Sequence, residues 1–214
     1  MILTRLGHAA VLVETAQARL LIDPGHFSSN WHGLTGLDAL LITHQHADHV
    51  DVENVGDLIE SNREARVLVE PAVVPMLGDH PAEPASVGDV HQIGDLRIEI
   101  VGGEHAVIHD RIPRIGNVGL VIREKDGPGL FHPGDSYATV PSGIDILALP
   151  LTAPWARVGM TIDFANAVRP ARMIPIHDAI LSGAGRPVYM RMCRTVVDES
   201  ITIEDPAVGE HLTV

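Results

Sequence analysis

A chain of 214 residues can fill one substantial hydrophobic core but leaves little length for a second, which predicts a single domain over residues 1–214. Apolar residues make up 45% of it while Phe, Trp and Tyr make up only 3%, so Val, Ile, Leu, Ala and Met must pack the core, as in aliphatic α/β layers. The 15 Lys and Arg against 28 Asp and Glu give a net charge of −13 with no basic stretch, which argues against nucleic acid as a partner; the single cysteine, Cys193, excludes an intramolecular disulfide, and no apolar run approaches membrane-spanning length.

Short aliphatic runs broken by turn residues open the chain. Ile2 to Leu6, Ala9 to Val13 and Leu20 to Ile22 read as strands joined at Gly7 and at Asp23-Pro24-Gly25. Ala39 to Ile42 is apolar throughout, the pattern of a strand covered on both faces, and runs directly into Thr43-His44-Gln45-His46-Ala47-Asp48-His49. Val52, Val55, Leu58 and Ile59 then recur at helical spacing, with Asp51 and Glu53 where a helix N-terminus favours negative charge. The histidine-rich stretch is therefore expected to be a strand-to-helix loop, with Asp48 and His49 at the helix entrance. In open α/β folds such loops are where ligand sites gather.

Further strands are expected at Val67 to Val69, Leu96 to Val101, Val118 to Ile122, Leu130 to Phe131, Ile144 to Leu149 and Arg172 to Ile176, with helices over Thr161 to Val168 and Val188 to Val197. This order predicts an α/β (α+β) fold of two similar halves: a four-layer αβ/βα sandwich, with two mixed β-sheets face to face and helices outside.

Four potential ligands fall within the six residues from His44 to His49. In extended backbone an i, i+2 pair points to one side, so His44 and His46 can grip one ion. Asp48 and His49 point elsewhere, which favours a second ion beside the first. His105, Asp135 and His177 each follow a strand; alone each could be a turn residue, but together they complete two coordination shells. Imidazole and carboxylate without thiolate suit zinc, manganese or iron, zinc being the first expectation.

Thr-His-x-His-x-Asp-His, a later His, a Gly-Asp and a last His closely resemble the metallo-β-lactamase-fold superfamily. The resemblance implies that His44, His46 and His105 hold one metal, that Asp48, His49 and His177 hold the other, and that Asp135 bridges them. Asp23, in Leu21-Ile22-Asp23-Pro24, matches an aspartate that supports the metal loop from behind. Leu6-Gly7-His8-Ala9-Ala10 resembles the small lactonase-like (ascorbate-6-phosphate lactonase-like) branch, and the similarity spans nearly the whole chain. The chain lacks the appended helical domain of glyoxalase II and the insertions of the RNA-processing nucleases. His46 stands where flavodiiron proteins carry an iron-site glutamate.

The implied activity is hydrolysis of an ester, lactone or phosphoester in a small molecule by a hydroxide bridging two divalent ions, with Asp48 orienting it and shuttling its proton. The alternative is a mononuclear iron oxygenase or redox protein on the same scaffold. His8 and His109 are candidates to face the substrate or to be structural, with His105 preferred over His109 as ligand. Trp155 is a candidate pocket wall, and His132 a supporting residue. A cytoplasmic protein without a leader is expected, with a homo-oligomer left open.

Overall fold

The computed structural model describes residues 1–214 as two seven-stranded mixed sheets stacked face to face. The first sheet contains β1 (Ile2–Gly7), β2 (Ala10–Glu14), β3 (Arg19–Ile22), β4 (Ala39–Ile42), β5 (Arg66–Val69) and β6 (Glu83–Pro84). The second contains β7 (Val90–Ile93), β8 (Leu96–Glu104), β9 (Gly116–Glu124), β10 (Gly129–His132), β11 (Ile146–Pro150), β12 (Arg172–Ile176) and β13 (Thr202–Ile203). The C-terminal strand β14 (His211–Thr213) crosses back to pair with β1 in the first sheet. In both sheets antiparallel pairing along the early strands gives way to parallel pairing along the late ones, so the two halves share one plan.

Alternation along the strands explains the layering. Leu20, Ile22, Ala39 and Leu41 face Ile98, Ile100, Leu120 and Ile146 in the core between the sheets, while Leu21, Leu40 and Ile42 point outward. The outward set packs on α1 (Val55–Ser61) and the 3-10 segment Pro71–Leu77; Leu147, Leu149 and Met173 pack on α2 (Val158–Val168) and α3 (Gly185–Val196). The expected strands and helices are all present. Strands β6, β7, β13 and β14 and the 3-10 segment were not anticipated: β6 and β13 are two residues long, and β7 and β14 are largely exposed, so none carries the buried apolar run that marks a strand.

The histidine loop differs in one respect from expectation. Its turn closes on itself, His49 and Val50 each donating a backbone N–H to His46 O at 2.9 and 3.0 Å, and α1 begins only at Val55. Asp48 and His49 therefore lie in a separate turn, not at the helix entrance. No helix is long and apolar enough to cross a membrane.

Candidate metal centre

The strands that carry candidate ligands run in one direction within each sheet. β1 and β3 both oppose β2, and β4 runs parallel to β3; β8 and β10 both oppose β9, and β11 and β12 run parallel to β10. The residues following their C-terminal ends are His8, Asp23, His44, His105, Asp135, Thr152 and His177, gathered at one edge of the sandwich.

There the side chains form two adjacent groups, each with ligand atoms within 4.8 Å of one another: His44, His46, His105 and Asp135, and His8, Asp48, His49 and His177. Asp135 joins them. Its Oδ2 lies 3.4 Å from His105 Nε2, while Oδ1 lies 3.2 Å from both His49 Nε2 and His177 Nε2. Asp48 Oδ2 lies 3.2 Å from His177 Nε2 and 3.9 Å from His49 Nε2. The side chains of all seven residues expected to be ligands thus lie together in these two groups, with His8 alongside.

Whether these atoms suit a cation depends on the far side of each ring. His49 Nδ1 donates to Asp23 Oδ2 at 2.7 Å, and His105 and His177 donate from Nδ1 to Ala106 O and Thr152 O at 2.6 Å each. A neutral imidazole with its proton on Nδ1 presents a bare lone pair at Nε2. The Nε2 atoms of His49, His105 and His177, with Asp135 Oδ1, are buried and have no hydrogen-bond partner. An unsatisfied buried polar atom costs about 1–3 kcal/mol, so four converging on two foci fit cations there. His44 Nδ1 faces Thr43 Oγ1 at 3.1 Å, leaving Nε2 directed at His46 Nδ1, also 3.1 Å away.

The electrostatics lead to the same conclusion. Burial disfavours charge on His177, but Asp135 and Asp48 outweigh it and hold its pKa up to about 9. Burial likewise opposes charge on His49, and Asp135 and Asp23 override it, raising its pKa well above the ordinary value. His44, fully buried and next to His49, is driven well below its ordinary value. Burial resists ionisation of Asp135, yet neighbouring His49 and His177 keep its pKa well below the usual carboxylate range. The centre draws positive charge, and a cation can take the place of the protons.

Support comes from a shell only partly visible in the sequence. Asp23, fully buried, accepts from the Thr43 backbone N–H at 2.8 Å and Thr43 Oγ1 at 2.7 Å as well as from His49, and so ties the histidine loop to the end of β3. His8, Asp23 and His177 are three of the five non-glycine residues with positive φ, so the backbone strain of this chain is concentrated here. Trp155 is buried and donates from Nε1 to Asp135 Oδ2 at 2.9 Å, so it grips the junction between the foci. His132 bonds Ala9 O at 3.1 Å and accepts from Gly134 N–H at 3.3 Å, bracing the turn that carries Asp135.

His109 belongs to neither group: it is exposed on the loop after β8, its Nδ1 accepting from Arg111 N–H at 3.1 Å. Two supports were missed. Asn117 Oδ1 accepts from Asp135 N–H at 2.8 Å; a buried amide inside the apolar run of β9 was its available signal. Thr152 contributes a backbone carbonyl, which no side-chain pattern reveals.

Residues 2–177 match the beta-lactamase superfamily domain family. The chain is 41% identical over 209 residues to protein Rv0786c of Mycobacterium tuberculosis, covering 96% of this chain and 98% of that one. It is 34% identical over 149 residues to a UPF0173 metal-dependent hydrolase of Rhizobium meliloti, an alignment spanning 61% of each. Among solved structures, the metallo-beta-lactamase fold protein YhfI of Bacillus subtilis superposes with a TM-score of 0.78 at 14% identity, covering 99% of this chain and 98% of that one. CmlA of Streptomyces venezuelae, a diiron beta-hydroxylase, gives 0.76 at 17% identity, covering 100% of this chain and 54% of that one; these two likenesses establish the fold alone. The chain therefore belongs to the beta-lactamase superfamily, as a metallo-β-lactamase-fold protein among relatives that are metal-dependent hydrolases.

Proposed function

We propose that the two foci hold two divalent cations and that the chain hydrolyses an ester, lactone or phosphoester bond in a small molecule. The observation that carries this reading is the convergence of the unpartnered, buried Nε2 atoms of His49, His105 and His177 on the two faces of Asp135. Zinc suits the imidazole and carboxylate donors, and manganese or iron fits the same set. When bound, such cations supply Lewis acidity and lower the pKa of a water enough to make it a nucleophile near neutral pH.

The chain's own groups do the rest. Asp135 faces both foci and is kept ionised and held in place by the Trp155 N–H. Asp48 is ionised well below the usual carboxylate range: burial opposes this, but the adjacent His177 ring and the hydrogen bond from His8 prevail. Its carboxylate, 20% exposed, can orient the O–H of an attacking water. A cleft of about 470 Å³ lined by His8, Phe27, Ser28, Asn30 and Ala179 opens beside the centre, and Ile108, Ile112 and Pro113 wall the side of His46 and His105. That space matches a small-molecule site. A single iron serving oxygen chemistry would leave one of the two ligand groups without a use.

The test is metal quantification on purified protein combined with turnover of lactone, ester and phosphodiester substrates. Two ions per chain and hydrolysis of one class are expected, with both lost in Asp135→Ala. One iron per chain with turnover only under oxygen would overturn the reading.

A further inference from the structure

His8 stands within reach of the second focus, and proximity alone would make it a fourth ligand there. Its hydrogen bonds assign it otherwise. The ring is 2% exposed, and its Nδ1 accepts the backbone N–H of Ala179 at 3.3 Å. A backbone amide can only donate, so the Nδ1 lone pair is taken and the proton of the neutral ring lies on Nε2. Asp48 Oδ2 is 3.0 Å from that atom and accepts the proton. With one nitrogen accepting and the other donating, the ring has no lone pair left for a cation.

We propose that His8 is a positioning residue: it fixes the carboxylate of Asp48 toward the second focus through an Nε2–H donor and does not ligate. The inference rests on the two-cation reading above. Its geometry is held from several sides. His177 N–H donates to His8 O at 2.9 Å, tying the turn after β1 to the turn after β12. The His8 and His177 ring centroids lie 4.0 Å apart, and the Phe27 ring packs edge-to-face with His8 at a centroid distance of 5.1 Å. The buried Arg5 guanidinium holds Asp178 at 2.6 Å, which anchors the segment whose Ala179 amide sets the tautomer. His8 itself adopts φ +48° after Gly7 at φ +112°, a costly conformation for a histidine that turns its ring inward. Asp135 Oδ1, which is buried and without a partner, would then complete the donors of the second focus in place of His8.

The test compares His8→Gln, whose amide can still donate to Asp48 but is a poor zinc ligand, with His8→Ala. Zinc content and chelator-competition titrations are read together with nitrogen-15 imidazole spectra of the metal-free wild type. The wild type is expected to bind two ions and to show the Nε2–H tautomer at His8. His8→Ala should weaken the second ion about 10–100-fold, and His8→Gln should recover most of that loss. A wild type that binds fewer than two ions refutes the two-cation reading and, with it, this inference. Two ions in the wild type, with one lost equally in both variants or with an Nδ1–H tautomer at His8, would overturn the positioning role alone. Should His8→Ala fail to fold, the tautomer and the His8→Gln titration decide.

Discussion

Asp23→Asn removes a single charge and almost no volume, yet its effect should reach the second focus. Asp23 Oδ1 accepts from the Thr43 backbone N–H, while Oδ2 accepts from Thr43 Oγ1 and His49 Nδ1. Asparagine must put its NH2 at one of these positions. Facing the Thr43 amide it would set two donors against each other in a fully buried site, and that amide cannot change role. At the other position the Thr43 hydroxyl can rotate and His49 can shift its proton, so the NH2 settles there. His49 then accepts at Nδ1 and carries its proton on Nε2, the atom aimed at Asp135 and the second focus. Changes at such supporting groups lower metal affinity about 10–100-fold, equivalent to about 1.4–2.7 kcal/mol. Chelator-competition titration should show one ion bound as in the wild type and the other weakened by that factor, with the fold intact by circular dichroism. Two ions bound with unchanged affinity would refute the assignment of the His49 tautomer.

Gly25→Ala should break the site from a distance, because a Cβ there would lie 1.8 Å from Asp48 O; the expected result is a lower melting temperature and loss of tightly bound metal, both visible in a thermal shift with and without added zinc. Trp155→Phe removes the N–H that donates to Asp135 Oδ2, and kcat/KM should fall roughly tenfold while global stability changes by far less than in Gly25→Ala. Metal binding should release protons at neutral pH, since a cation displaces the one that His177 holds up to a pKa of about 9; calorimetry in buffers of different ionisation heat measures this, and apparent affinity should climb with pH until about 9. In the metal-free protein the same protonated His177 stabilises the fold. Its pKa is raised above the ordinary 6.5, so the contribution is complete below about pH 6.5 and is lost as the pH rises through 9. Denaturant midpoints across that range should fall for the metal-free form.

The sequence alone determined the layers and most of the centre. Short uninterrupted or alternating aliphatic runs bounded by turn residues, such as Ala39–Ile42 and Leu96–Val101, read as strands by their length and flanks, and candidate ligands placed after them are carried to one edge of the sandwich. His44, His46, Asp48 and His49 were legible because four donors within six residues are rarely accidental; His105, Asp135 and His177 were legible by their order. Sequence order favoured His105 over His109, but both follow the same strand, and only the path of the loop in the tertiary structure leaves one buried and the other in solvent. Tertiary structure also decided the proton positions. Those depend on which backbone carbonyl or amide, from Ala106, Thr152 or Ala179, arrives opposite each ring, and main-chain groups are the same at every residue and leave no mark in the sequence.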